Sequence, residues 1–186
     1  MKEILNLVLA FSPWIAFLLI SGHSMLRLQI GIIVAAVLVV IMAVTKLHRG
    51  AIPWGGYIFF AFALICVVWL KNVWVIHNLG ILASGTLFLA AQLSILIGRP
   101  FTEDYARDQA PKEIWNSASF IKGCYTTTAF WSYIFLVNTL LNAIKIYHSG
   151  ANEVLMRILE YIVLFAGIIF TRVYAIIAKK KRQLCA

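Results

Sequence analysis

Charge is scarce in this sequence, and acid is scarcest. Only 12% of the 186 residues are charged, and Asp and Glu together number 7. An ordinary soluble domain carries about 25% charged residues, so half the usual water-facing chemistry is missing. What replaces it is apolar: 62% of residues are hydrophobic and the mean hydropathy is +0.91. A soluble fold of this length has no core large enough to hide that much apolar surface. Cysteine is also sparse. Cys66, Cys124 and Cys185 are odd in number and widely spaced, which excludes a disulfide framework and a zinc-type pair. Catalytic patterns are missing too: the sequence holds no Gly-rich phosphate loop, no HExxH and no serine in a nucleophile elbow. These absences argue against an enzyme, and no cofactor is expected.

What is present is a series of apolar runs. About 20 apolar residues cross a bilayer core as a helix, and the chain divides into six such spans. They cover about 4–20, 28–45, 53–70, 79–98, 123–144 and 154–178. The first run follows Lys2 and has the outline of a signal peptide, but Pro13 and Trp14 interrupt it and the residues before His23 suit a cleavage site poorly. It is read as a retained span. Pro53 suits the first turn of the third span, where its missing N–H costs nothing. The fourth span is rich in small residues, including Gly80, Ala83, Ser84, Ala90, Ala91 and Ser94. Such residues let helices approach closely in lipid, so this span is expected at the centre of the packing.

The net charge of +9 is a topology signal rather than a nucleic-acid signature. With the N-terminus in the cytoplasm, Lys2, Lys46, Arg49, Arg99, Arg107, Lys112, Lys122, Arg172 and the run Lys179, Lys180, Lys181, Arg182 fall inside. Only Arg27, Lys71, Lys145 and Arg157 fall outside. That bias is what the positive-inside rule expects when both termini are cytoplasmic. The expected class is an all-α, polytopic membrane protein: one domain over 1–186 with six transmembrane helices. Its lysine-rich end, Lys179 to Arg182, is expected to attract anionic inner-leaflet lipid at about 1 kcal/mol per charge.

Two places concentrate polar residues. The first is a cytoplasmic loop, 99–122, holding Arg99, Glu103, Asp104, Tyr105, Arg107 and Trp115. Thr102 is placed to cap a short helix with Glu103 and Asp104 in its first turn, and Pro111 to end it. This loop is either a solvated connector or a platform that docks other membrane proteins. The second place is the hairpin between spans five and six. Folding it about Ser149 and Gly150 sets Asn138 level with Glu160 and Asn142 level with Arg157. Arg157 lies three residues before Glu160 on the same helix face, as its expected ion-pair partner. Ionisable groups inside a span are expensive. The four residues therefore form either a clasp between helices or an ion or solute site. Three histidines, His23, His77 and His148, fall in outer turns. They are a candidate metal site, though no two stand at i, i+3 or i, i+4.

Several motifs carry a resemblance. Arg99-Pro100 is followed by apolar Phe101, Trp131, Phe135 and Asn142 keep a W-x3-F-x6-N spacing, and Arg157 is a basic residue opening the last span. In these features and in the order of its spans the chain resembles the bacterial intracellular septation protein A family of inner-membrane proteins. The stretch Gly98 to Thr102, with Tyr105-Ala106-Arg107, departs from that family's pattern. The resemblance implies residence in the bacterial inner membrane and a non-enzymatic role in envelope maintenance or division. It implies work through other membrane proteins. The rival expectation is a small transporter or channel using Asn138, Asn142, Arg157 and Glu160.

Overall fold

The computed structural model describes residues 2–21, 24–45, 51–108, 110–148, 150 and 152–184; side chains are described for 11–21, 24–45, 52–108, 110–148, 150 and 152–178. Every regular element among them is helical. In chain order these are α1 (Lys2–Ile20), α2 (Met25–Val44), α3 (Ala51–Ala63) continued by a π-helical turn (Leu64–Trp69), and α4 (Val73–His77). They are followed by α5 (Leu79–Leu96), α6 (Thr102–Arg107), a 3-10 turn (Lys112–Ile114), α7 (Ala118–Tyr147) and α8 (Glu153–Leu184).

Five stretches are long and apolar enough to cross a membrane: Met25–Val44, Ile52–Trp69, Leu79–Leu96, Ala118–Tyr147 and Glu153–Ala178. A helix meets the demand of lipid because it satisfies every backbone N–H and carbonyl within its own segment. The apolar part of α1 with described side chains, Phe11–Ile20, is shorter.

Several boundaries differ from the hydropathy reading. The fifth span was expected to begin near Gly123, but α7 starts at Ala118. Ser117 caps it, its Oγ accepting the Phe120 N–H at 3.3 Å. The polar residues before Gly123 hid a helix that leaves the apolar region intact. The sixth span was expected to end near Ala178, whereas α8 continues to Leu184, so Lys179–Arg182 stand on its last turns. The third span holds a wide turn that the apolar pattern did not show. There the Leu70 N–H donates to the Ile65 carbonyl at 2.9 Å, a five-residue step. Lys71 then takes a left-handed φ of 48°. Asn72 caps α4, its side chain accepting from the Val75 N–H at 3.0 Å. The hydropathy pattern shows no element between the third and fourth spans, where α4 lies.

The bundle has two ends. One, the loop end, carries α6 and the starts of α3 and α7; the other, the hairpin end, carries α4 and the turn from α7 to α8. Helix α5 lies between α3 and α7, as its small residues require. Gly55 of α3 faces the Ala90 side chain, and a Cβ on it would stand 3.2 Å away. Ala83, Ala90, Ala91 and Ser94 are buried along α5. Between α1 and α3 an aromatic cluster fills the core. Trp14 lies 5.1 Å from Phe59 and 4.9 Å from Phe60, ring centre to ring centre. A second cluster joins Ile52, Ala90, Ala91, Phe101, Ile134 and Phe135. In lipid, apolar burial gives helices no net drive to associate, so close packing and shared hydrogen bonds carry the cohesion.

Helix α8 is peripheral. Only 6% of its span is buried, against 39% for Ile52–Trp69. It is held against α7 by Phe130 stacked on Phe170 at 3.8 Å and by the Trp131 indole N–H donating to the Thr171 hydroxyl at 2.9 Å. Gly167 leaves the space that Ile134 and Trp131 occupy.

Candidate functional site

At the hairpin end a run of polar side chains crosses from α7 to α8. Asn138 and Asn142, both buried, turn their amides back along α7: Asn138 Nδ2 donates to the Ile134 carbonyl at 3.0 Å and Asn142 Nδ2 to the Asn138 carbonyl at 2.9 Å. That leaves the Asn142 Oδ1 to accept from Lys145 Nζ at 3.0 Å. The same ammonium reaches Glu160 Oε1 on α8 at 2.9 Å. Helix α5 approaches through Gly80, where a Cβ would collide with Asn142 Oδ1. Three further links surround the cluster. The Thr139 hydroxyl donates to Ser84 Oγ at 3.1 Å, the Tyr147 hydroxyl donates to Asn78 Oδ1, and Asn78 Nδ2 donates to the Trp74 carbonyl at 2.9 Å.

The expected partner of Glu160 is therefore corrected. Asn142 and Glu160 share one cation, and it is Lys145, not Arg157; Asn138 joins them only through its backbone carbonyl. Arg157 lines a separate cavity of about 210 Å3 with Glu153, Val154, Ile158 and Tyr161, and that cavity does not reach Glu160. The physical reason is orientation along the helix. An acid placed before a base in sequence is the favoured order for a pair on one helix face, and Arg157 precedes Glu160. Lys145 instead stands near the last turn of α7, where a cation is favourable and its four-carbon stem reaches across the hairpin. It had entered the sequence reading only as an outside charge. Its three-residue spacing from Asn142 and its place beside the turn were the available signals.

Chemically the cluster is neutral and internally bonded. Both members of the ion pair are mostly covered, with side-chain exposures of 20% for Lys145 and 16% for Glu160. Removing either partner would leave a charge in a low-dielectric setting, the arrangement of a clasp. Among the described residues no group of three or more His, Cys, Asp or Glu could hold a metal ion. His77 and His148 are exposed, and His148 Nδ1 accepts the Gly150 N–H at 3.2 Å. His23 lies outside the described residues.

The loop end is built differently. Here Thr102 does not cap α6 as expected. Its hydroxyl is turned into the bundle, bonded to the Cys124 carbonyl at 2.9 Å and to the Thr128 hydroxyl at 2.8 Å. A buried hydroxyl with two partners inside is lost to capping duty. Phe101 is buried beside it, and the Phe101 N–H donates to Ser94 Oγ at 3.1 Å. The segment is thus pinned to α5 and α7. Within the segment Arg107 pairs with Glu103 at 2.5 Å and lies over the Trp115 ring at 5.3 Å, while the Trp115 indole N–H donates to the Ala110 carbonyl at 2.9 Å. Burial holds the Tyr105 phenol well above its ordinary range, and the Asp104 carboxylate adds to the upward shift. The Tyr105 hydroxyl has no hydrogen-bond partner.

Between this segment and the bundle runs a groove of about 610 Å3. It brings together Arg99, Glu103, Asp104 and Arg107 of the sequence-selected loop, with Trp54 and Ile97 as its apolar side. Trp115 joins only through Arg107, and Tyr105 is not among the lining residues. The contribution of Trp54, from the start of α3, had no signal in the loop sequence. The side chains of Lys179 to Arg182 lie outside the described residues. No family model, curated protein or solved structure matches the chain.

Proposed function

We propose that the protein is a non-enzymatic component of the bacterial inner membrane, a scaffold in envelope maintenance or division that engages other membrane proteins through its loop end. The reading takes six spans, with α1 as the first and both termini cytoplasmic. It follows the charge bias and the resemblance to the intracellular septation protein A family. One observation carries it above the others: the described residues of segment 99–117 are tied both to the bundle and to one another. Phe101 and Thr102 anchor it and the Glu103–Arg107–Trp115 contacts brace it. A slack linker loses ordering entropy whenever it binds, and a pre-set surface has lost it already. Basic residues at Lys179 to Arg182 would add attraction to anionic lipid on the same face.

The test is site-specific photocrosslinking in native membranes from Asp108 and Asn116, both exposed on the platform. Discrete adducts with envelope membrane proteins, lost when 99–122 is replaced by a Gly-Ser linker in a chain that still inserts, support the role. Absence of any adduct, with the replacement silent, removes it.

A second reading, a small transporter or channel, is favoured by the polar character of the buried face of α7. Thr127, Thr128, Ser132, Asn138 and Asn142 are all buried along it, and the Ser132 hydroxyl has no partner. Against it, the other groups are already bonded: Thr127 to the Gly123 carbonyl, Thr128 to Thr102, and both Asn amides within α7. Substrate-dependent flux abolished by Glu160→Gln would restore it.

A further inference from the structure

The groove at the loop end has a composition that its bracing role does not require. Part of its lining is apolar and open, with Trp54 69% and Ile97 72% exposed. The same lining carries two guanidinium groups, Arg99 and Arg107, and two carboxylates, Glu103 and Asp104. Arg99 is exposed and in no ion pair among the described residues. Arg107 satisfies part of its guanidinium on Glu103, yet its Nε is buried with no hydrogen-bond partner. A buried donor left unpaired costs the desolvation of that group, and the rest of the Arg107 side chain, 40% exposed, stays open to an acceptor.

We infer that this groove binds the headgroup of an aminophospholipid, with the phosphate on Arg99 and Arg107 and the ammonium on the Glu103 and Asp104 carboxylates. The geometry favours a zwitterion because both signs line one cleft. A simple anion would meet two carboxylates, and a simple cation two guanidiniums. Phosphate is the acceptor that guanidinium donors match best. A primary ammonium supplies N–H donors to carboxylates whose several lone pairs accept more than one bond. Trp54 and Ile97 stand where the glycerol and upper acyl chains would lie, at the end of a membrane-length helix, and Trp is favoured at that depth. The inference needs the membrane placement but not the docking role. A bound lipid and an absent protein partner are compatible, so the two readings fail separately.

Native mass spectrometry of the full chain in detergent tests it, with phosphatidylethanolamine, phosphatidylcholine and phosphatidylglycerol of matched chains as probes. The ethanolamine lipid is expected to bind about tenfold more tightly than either competitor, one well-made charged contact. Arg99→Gln and Asp104→Asn should each erase that preference, whereas Lys71→Gln at the opposite end should keep it. The choline lipid is the informative control, since its quaternary ammonium has no N–H to donate. Thermal unfolding of each variant shows that the chain still folds, and each is read independently of the other. Equal binding of all three lipids, tighter binding of the glycerol lipid, or an unchanged preference in both variants overturns the proposal. Soluble glycerophosphoethanolamine supplies the last arm. If it displaces the lipid at equal concentration, the ligand is a free headgroup and the assignment to lipid falls.

Discussion

Replacing Lys145 by methionine separates the clasp seen between α7 and α8 from the one that spacing along α8 suggests. In the structure the Lys145 ammonium is held by Asn142 and Glu160 at 3.0 and 2.9 Å. Its removal leaves the Glu160 carboxylate, 16% exposed, without its cation. Breaking a buried pair from one side costs about 3–5 kcal/mol. Because both groups keep some access to water, we expect a cost below that range, about 2–3 kcal/mol. Glu160→Met should cost a similar amount by orphaning the ammonium. The double variant leaves neither charge uncovered and should be less destabilised than the sum of the two by at least about 1 kcal/mol. Arg157→Met, on a side chain with no bond to Glu160, should stay within about 0.5 kcal/mol of the parent. Equilibrium unfolding in mixed micelles, run as a double-mutant cycle, measures all four. The reasoning fails if Arg157→Met is as costly as Lys145→Met, or if the Lys145 and Glu160 losses simply add.

Three other predictions use different contacts. Gly80→Val should force α5 away from Asn142 and cost about 1–3 kcal/mol, read as a lowered unfolding midpoint in detergent. Thr102→Val should cost about 1–2 kcal/mol by stripping a partner from the Cys124 carbonyl and from Thr128; adding Thr128→Val should cost less than the same change alone, as thermal unfolding of the three variants will show. The Tyr105 phenol is held neutral by burial, first, and by Asp104. Its folded value lies above the unfolded value of about 10, so its contribution is complete below that pH and is lost as pH rises past it. Ultraviolet titration should show a tyrosine step above the ordinary phenol range that is lost in Tyr105→Phe. The phenylalanine variant should be at least as stable as the parent, since the hydroxyl it removes has no partner.

Much of the fold was legible because lipid enforces a simple code: long apolar runs become helices, and small residues mark where helices touch. The short turn between the fifth and sixth spans brings α7 and α8 side by side, which is why Asn142 and Glu160 end on one ammonium, that of Lys145. The identity of the cation was not legible in the same way. Arg157 is nearer to Glu160 in sequence, and only the cross-hairpin reach of Lys145 decides against it. The wide turn at Leu64–Trp69 was hidden because its residues are as apolar as those of a regular helix. Ser117 and Asn72 are residue types that cap helices, but the apolar run after Asn72 is only Val73–Ile76 and the one after Ser117 is broken by Ser119 and Lys122, so both read as loop. Thr102 shows the converse. Its type and spacing suit a cap, and tertiary bonds to Cys124 and Thr128 claim its hydroxyl instead. The groove needed Trp54 from a distant helix, so no local pattern could display it.

The most direct measurement is flux through vesicles reconstituted with the full chain, followed for protons, alkali cations and chloride in the parent and in Glu160→Gln. A closed clasp in a scaffold protein predicts no flux above that of empty vesicles for any of the three, and no change on substitution. Flux of any of them that depends on the protein and disappears in Glu160→Gln would contradict the account and make the cluster a conduction site.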